Sequence, residues 1–172
     1  MALQLSEQEL IRREALKELE ALGINPYPAD EYPVDATTAD IIKNFPLDNT
    51  LYQDVNIAGR VMSRRIMGAA SFAEIQDETG RIQIYAKRDD ICPGEDKTMY
   101  NTVFKKLLDI GDIIGINGYV FTTQMGEITI HVKGFTLLCK SLRPLPIVKE
   151  KEDVVYDAFT DAEQRYRQRY LD

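Results

Sequence analysis

From Val55 onward the apolar residues fall into a period of two, in five runs at about 55–66, 70–77, 81–87, 112–123 and 127–139. Such alternation sends one set of side chains into a core and the other toward water. Between the third and fourth runs, Met99, Val103, Phe104 and Leu107 recur at helical spacing within Thr98 to Leu108. Five strands with one helix between the third and fourth form the element order of an OB-fold, a five-stranded Greek-key barrel. The expected fold class is an all-β core with helices.

The segment ahead of the strands reads differently. Ser6 and Glu9 form a capping box, and Ile11, Ala15, Leu19 and Leu22 recur at three and four residues before Gly23. That is an amphipathic helix with a glycine stop. The prolines of Asn25-Pro26-Tyr27-Pro28 and Tyr32-Pro33 then impose an extended connector. Thr38 is placed to cap a short second helix through Ile42. Beyond the strands, Arg143-Pro144-Leu145-Pro146 makes a stiff exit, and Lys149 to Asp153 reads as a solvated linker. Thr160 and Glu163 form another capping box, opening a helix over Asp161 to Asp172 that meets no stop signal, so a longer parent protein is expected. The expected organisation is a helical extension and connector over 1–54, the barrel over 55–141, and a linker with the start of a further domain over 142–172.

Several function classes are disfavoured by what the chain lacks. No apolar run approaches the ~20 residues of a membrane span, and the N-terminus carries no secretory pattern, so no membrane partner and a cytoplasmic setting are expected. Cys92 and Cys139 occur without a CxxC, as free thiols do in a reducing compartment. His131 is the single histidine, which argues against a Cys/His zinc site and a Ser/His/Asp triad. No GxxxxGK[ST], GxGxxG or HExxH motif is present, so catalysis is not expected of this segment. Asp89-Asp90 and Glu95-Asp96 bracket a Pro93-Gly94 turn without EF-hand spacing and read as a solvated loop, with no metal.

A net charge of −7 argues against nucleic acid taken over the whole chain, yet the acidity is local. Residues 1–56 carry 4 basic and 11 acidic side chains, whereas 57–140 carry 11 and 10. Arg60, Arg64 and Arg65 cluster inside six positions, and Arg64 and Arg65 lie where the first strand ends, in the loop between strands one and two that OB-folds use for oligonucleotides. The Asp77-Glu78-Thr79-Gly80 turn pairs Ile75 with Ile82 and Ala73 with Ile84 on the core face. The same register pairs Gln76 with Arg81, Glu74 with Gln83 and Phe72 with Tyr85 on the wetter face. An exposed Phe72 is a platform for a base; a covered one is packing. In the last run Glu127, Thr129 and His131 point away from Ile128, Ile130 and Val132, and His131 could read a base edge. Charge, stacking surface, amide and carboxylate thus converge on one face.

On these residues the chain closely resembles the N-terminal part of bacterial lysyl-tRNA synthetases, which are class II aminoacyl-tRNA synthetases. The resemblance is carried by Ala58 to Phe72, Gly80 to Tyr85, Ser141 to Pro146 and Arg165 to Asp172. It implies an anticodon-binding OB domain whose partner is the anticodon loop of lysine tRNA, in a homodimeric parent. No cofactor is implied for this segment; the sites for ATP, lysine and Mg2+ fall after Asp172, and the segment alone is expected to be inactive. The residues implied to contact anticodon bases are Arg65, Phe72, Gln83 and Glu127, with Arg64, Tyr85 and His131 as secondary candidates. Three other readings stand beside it: an aspartyl- or asparaginyl-type anticodon domain, a sequence-tolerant single-strand binder, and a protein-interaction module covering Phe72 and Tyr85.

Overall fold

The computed structural model describes residues 5–145, the backbone of 149–151 and 154–156, and Tyr166. Helix α1 (Glu7–Ala21) opens on the expected capping box, with Ser6 Oγ accepting from Glu9 N–H and the Glu9 carboxylate accepting from Ser6 N–H. It closes at Gly23, whose φ of 76° only glycine adopts without strain; Ile24 N–H donates to Leu19 C=O and Gly23 N–H to Glu20 C=O. Helix α2 (Thr38–Asn44) is capped by Thr37 rather than Thr38. Thr38 is instead buried, with its N–H and hydroxyl donating to Asp77.

Strands β1 (Val55–Met67), β2 (Ala70–Gln76), β3 (Arg81–Lys87), β4 (Ile113–Thr122) and β5 (Ile128–Cys139) close into a barrel in the order β1-β2-β3-β5-β4. The β2–β3 register is the one the turn implied, from Gln76↔Arg81 through Phe72↔Tyr85. Closure comes from β3 pairing with β5 in parallel, Gln83 with Thr129 and Tyr85 with His131. The inward faces, including Ile57, Val61, Ile75, Ile84, Ile116 and Ile130, form one apolar core. Helix α3 (Arg88–Ile91) and helix α4 (Met99–Leu107) follow β3; α4 is wound as a π-helix, Leu108 N–H reaching back to Val103 C=O. Its Tyr100, Val103, Phe104 and Leu107 are buried. The proline-rich connector lies on β4, where the Tyr32 ring occupies the space a side chain at Gly115 would need.

Two polar knots hold these pieces together. At the β2–β3 turn, Asp77 accepts from the Thr38 and Thr79 backbones and hydroxyls and from Gly80 N–H. Burial pushes the Asp77 carboxyl up, but those donors together outweigh it and lower its pKa from 3.8 to about 2. A depressed carboxylate pKa gives stability that is present above the unfolded value and lost as pH falls through the folded one. Unfolding free energies from urea titrations between pH 5 and pH 2 should therefore drop by an extra amount on the order of 2 kcal/mol in the native chain relative to Asp77→Asn. Parallel profiles for the two proteins would remove Asp77 from this role.

The second knot lies at the opposite end. Lys140, with its side chain fully buried, places Nζ 2.5 Å from Asp109 Oδ2 and 2.8 Å from Asp112 Oδ2. Asp112 also accepts from the backbone N–H groups of Asp109 and Ser141. Arg12 of α1, itself buried, donates to the carbonyls of Ile110 and Ser141 and so clasps the helix to the barrel. The stretch expected to be a linker instead pairs its backbone, β6 (Lys149–Lys151) with β7 (Val154–Tyr156). The β-branched and aromatic Val154-Val155-Tyr156 suits such a ladder. Except for Tyr166, which is helical, the helix expected over Asp161 to Asp172 lies outside the described residues. Among the described residues no helix is long and apolar enough to cross a membrane.

Candidate nucleic-acid interface

The strand registers line up two rows of side chains across the outside of the barrel. One runs Arg65, Phe72, Tyr85, His131, Tyr119, and the neighbouring one Ser63, Glu74, Gln83, Thr129, Phe121. β1 extends through Met67, so Arg64 and Arg65 stand in the ladder and not in a loop. Adjacent strand residues face opposite ways. Arg65 is exposed on the groove side, whereas Arg64 is drawn toward α4 and donates to the Phe104 carbonyl.

Arg65, Phe72, Gln83 and Glu127 line one groove of about 440 Å³, with Met125 and Thr123 at its rim. Phe72 is half-buried, with the Tyr85 ring tilted against it at 5.0 Å between centroids, and it contributes to the lining of the groove. Gln83 is held from two sides: its Nε2 donates to Glu127 Oε2 at 2.8 Å, and its Oε1 accepts from the Thr129 hydroxyl at 3.0 Å. Thr129 is fully buried, contrary to its expected place on the wet face, because the parallel β3 neighbour carries Gln83 over it. The clamp fixes which end of the amide is which and leaves one N–H and one lone pair for a ligand. A uracil edge presents the complementary pair, a carbonyl oxygen beside an N–H. Among the described residues Arg65 has no ion-pair partner, so its guanidinium is available to an incoming acceptor.

His131 is placed otherwise. Its Nε2 lies 2.7 Å from Asp90 Oδ2 and its Nδ1 3.0 Å from the Tyr119 hydroxyl, so both ring nitrogens are engaged within the protein and only its faces and edges are open. Asp89 likewise meets Arg88 and Lys97, leaving the 89–96 loop cross-linked rather than merely solvated. Among the described residues no group of three or more His, Cys, Asp or Glu is arranged to hold a metal ion.

Sequence reasoning does not single out Tyr119, Phe121 or Met125. The signal is present, since Tyr119 and Phe121 flank the inward Val120 and must share the outer face of β4. Met125 projects from the β4–β5 turn with 93% of its surface exposed. That turn is pinned by Thr123 N–H to Glu127 C=O, Gly126 N–H to Thr123 C=O, and Glu127 N–H to the Thr123 hydroxyl.

Residues 55–138 match the family described as OB-fold nucleic acid binding domain. Nearly the whole chain aligns with curated proteins called lysine–tRNA ligase. The one from Porphyromonas gingivalis is 64% identical over 171 residues, covering 99% of this chain and 30% of the relative. That from Azobacteroides pseudotrichonymphae is 60% identical over 168 residues, 98% of this chain and 33% of the relative. That from Christiangramia forsetii is 61% identical over 170 residues, 98% and 29% respectively. The chain spans about a third of the length of these relatives.

Proposed function

The chain belongs to the lysyl-tRNA synthetase family, its barrel to the OB-fold nucleic-acid-binding domains, and from that premise we propose that it recognises the anticodon loop of lysine tRNA. The observation that carries the reading is the clamped Gln83 amide lining one groove together with Phe72, Arg65 and Glu127. A splayed base stacks on Phe72 and presents its Watson–Crick edge to Gln83; Arg65 supplies a donor and Glu127 an acceptor. Arg64, bonded to the Phe104 carbonyl and outside the lining of the groove, is assigned no base contact in this reading. In this proposal the parent protein ligates lysine to the same tRNA as a cytoplasmic homodimer, with ATP and Mg2+ held by its remaining length.

Affinity for a lysine anticodon stem-loop, titrated at two salt concentrations beside a stem-loop with an altered anticodon, tests the reading. The groove sets one free guanidinium against Glu74 and Glu127, so few phosphates are neutralised here. A preference for the cognate loop is expected, with log K falling against log salt at a shallow slope on the order of −1 to −3. A steep slope without preference would point to a sequence-tolerant single-strand binder. No binding to either loop would leave the face for a protein partner.

A further inference from the structure

The last strand of the barrel ends at Cys139, and the residues that follow, Lys140 to Arg143, are each held from the N-terminal extension. Lys140 N–H donates to the Pro26 carbonyl, and the Lys140 carbonyl accepts from the Tyr27 hydroxyl at 3.0 Å. Arg12 Nη1 donates to the Ser141 carbonyl at 3.0 Å, while its Nη2 donates to the Ile110 carbonyl at 2.8 Å. Arg13 Nη1 stands 3.5 Å from the Leu142 carbonyl, and Glu9 holds Arg143 at 3.2 Å. We propose that this extension is a splint on the chain leaving the barrel: α1 and the Pro26-Tyr27 connector fix the direction in which the anticodon groove is presented to the rest of the parent protein, and so couple anticodon recognition to charging. The proposal rests on the anticodon-loop reading above.

Three observations favour a splint over plain packing. Arg12 is buried, yet it ends on two backbone carbonyls, with its Nε unpartnered among the described residues. An apolar side chain would pack a helix on a barrel without desolvating a guanidinium, so what the rigid fork adds is position: it ties the exit to the loop ahead of β4. The strap is also seated from beneath. Ser141 N–H donates to Asp112, its hydroxyl donates to the Arg143 carbonyl, and a Cβ at Gly111 would meet Ser141 Oγ at 3.0 Å. Pro144 comes next, so the stiff stretch runs on from β5 into the exit. Charge, finally, speaks against an RNA-binding arm. Residues 1–56 carry 4 basic and 11 acidic side chains, and two of those cations, Arg12 and Arg13, face the strap. A firmly held direction matters because the anticodon loop and the charged end of a tRNA lie far apart. Angular play at the exit is magnified over that distance, and a misplacement of about 1 Å at a reacting centre can cost on the order of 10²-fold in rate.

The test compares Arg12→Met with the unaltered sequence in the full-length parent protein. Methionine keeps an apolar stem in the buried site and removes both donors. Amide hydrogen exchange over residues 140–143 should quicken by roughly ten-fold or more. The kcat for charging lysine tRNA should fall by roughly five-fold or more, while KM for the tRNA, affinity for the anticodon stem-loop and lysine-dependent ATP–pyrophosphate exchange each stay within about two-fold. A loss confined to the step that needs both ends of the tRNA is what a direction-setting role produces and general unfolding does not. If thermal melts show that Arg12→Met does not fold, Glu9→Gln combined with Arg13→Ala carries the same measurements. Gln keeps the capping box of α1, while the Arg143 ion pair and the Leu142 contact are lost. Unquickened exchange of the strap, or unchanged charging with a quickened strap, overturns the proposal, as does a parallel fall in stem-loop affinity, pyrophosphate exchange and charging. Failure of the unaltered parent to prefer the cognate stem-loop overturns the anticodon reading and the coupling with it, while the exchange rates still judge the splint itself.

Discussion

Phe72→Ala is expected to weaken binding of the lysine anticodon stem-loop by roughly 1–3 kcal/mol, about five- to 150-fold, as the loss of one base–aromatic stack does. The change removes the aromatic ring that lines the groove while sparing the core, since Ala73 and Ile75 carry the inward side of β2. Tyr85 loses a neighbour at 5.0 Å, so a modest fall in melting temperature accompanies it. Gln83→Ala makes a useful contrast. It removes the edge reader and leaves the platform, so discrimination between cognate and altered anticodons should fall more than affinity for unrelated RNA. Fluorescence anisotropy on the two variants separates these outcomes, and equal, unchanged binding in both would empty the groove of its proposed role.

Asp112→Ala should be among the most damaging single changes to the fold, at about 3–5 kcal/mol, because it strands a buried charge. The Lys140 ammonium is fully enclosed and would keep only Asp109, whose side chain is 26% exposed. Burial pushes the Asp112 carboxyl up, while Lys140 and the backbone N–H groups of Asp109 and Ser141 hold it toward the charged form. Those N–H groups and the Lys140 Nζ would lose an acceptor together. Guanidinium unfolding of Asp112→Ala beside Arg65→Ala, an exposed charge expected to shift stability by no more than about 0.5 kcal/mol, gives the comparison. A loss below about 1 kcal/mol would mean that Asp109 alone satisfies Lys140.

The parts of the site within sequence reach were those set by local rules. A turn residue as strongly bonded as Asp77 determines the hairpin register, and the register alone puts Phe72, Glu74, Gln83 and Tyr85 on one face. The capping box of α1 and its glycine stop are equally local. What escaped depended on distant chain. That Thr129 lies under Gln83 follows from a parallel pairing between strands 46 residues apart at this point. That His131 has no free nitrogen follows from Asp90 on a four-residue helix that no periodicity announces. A register shift between Val61 and Ser63 also intervenes before Arg64 and Arg65, where plain counting of alternation offers no warning.

The parallel β3–β5 seam also bears on when the molecule can work. Gln83 and Glu127 belong to segments 44 positions apart, and nothing holds one near the other until that seam zips. Contacts of such wide separation form late, after the loop entropy of the intervening chain has been overcome. A chain emerging from a ribosome through β3 already contains Phe72, Tyr85 and Gln83, but it lacks the Glu127 and Thr129 that hold the Gln83 amide in place. The proposed selectivity of the groove therefore requires that β5 has joined the barrel.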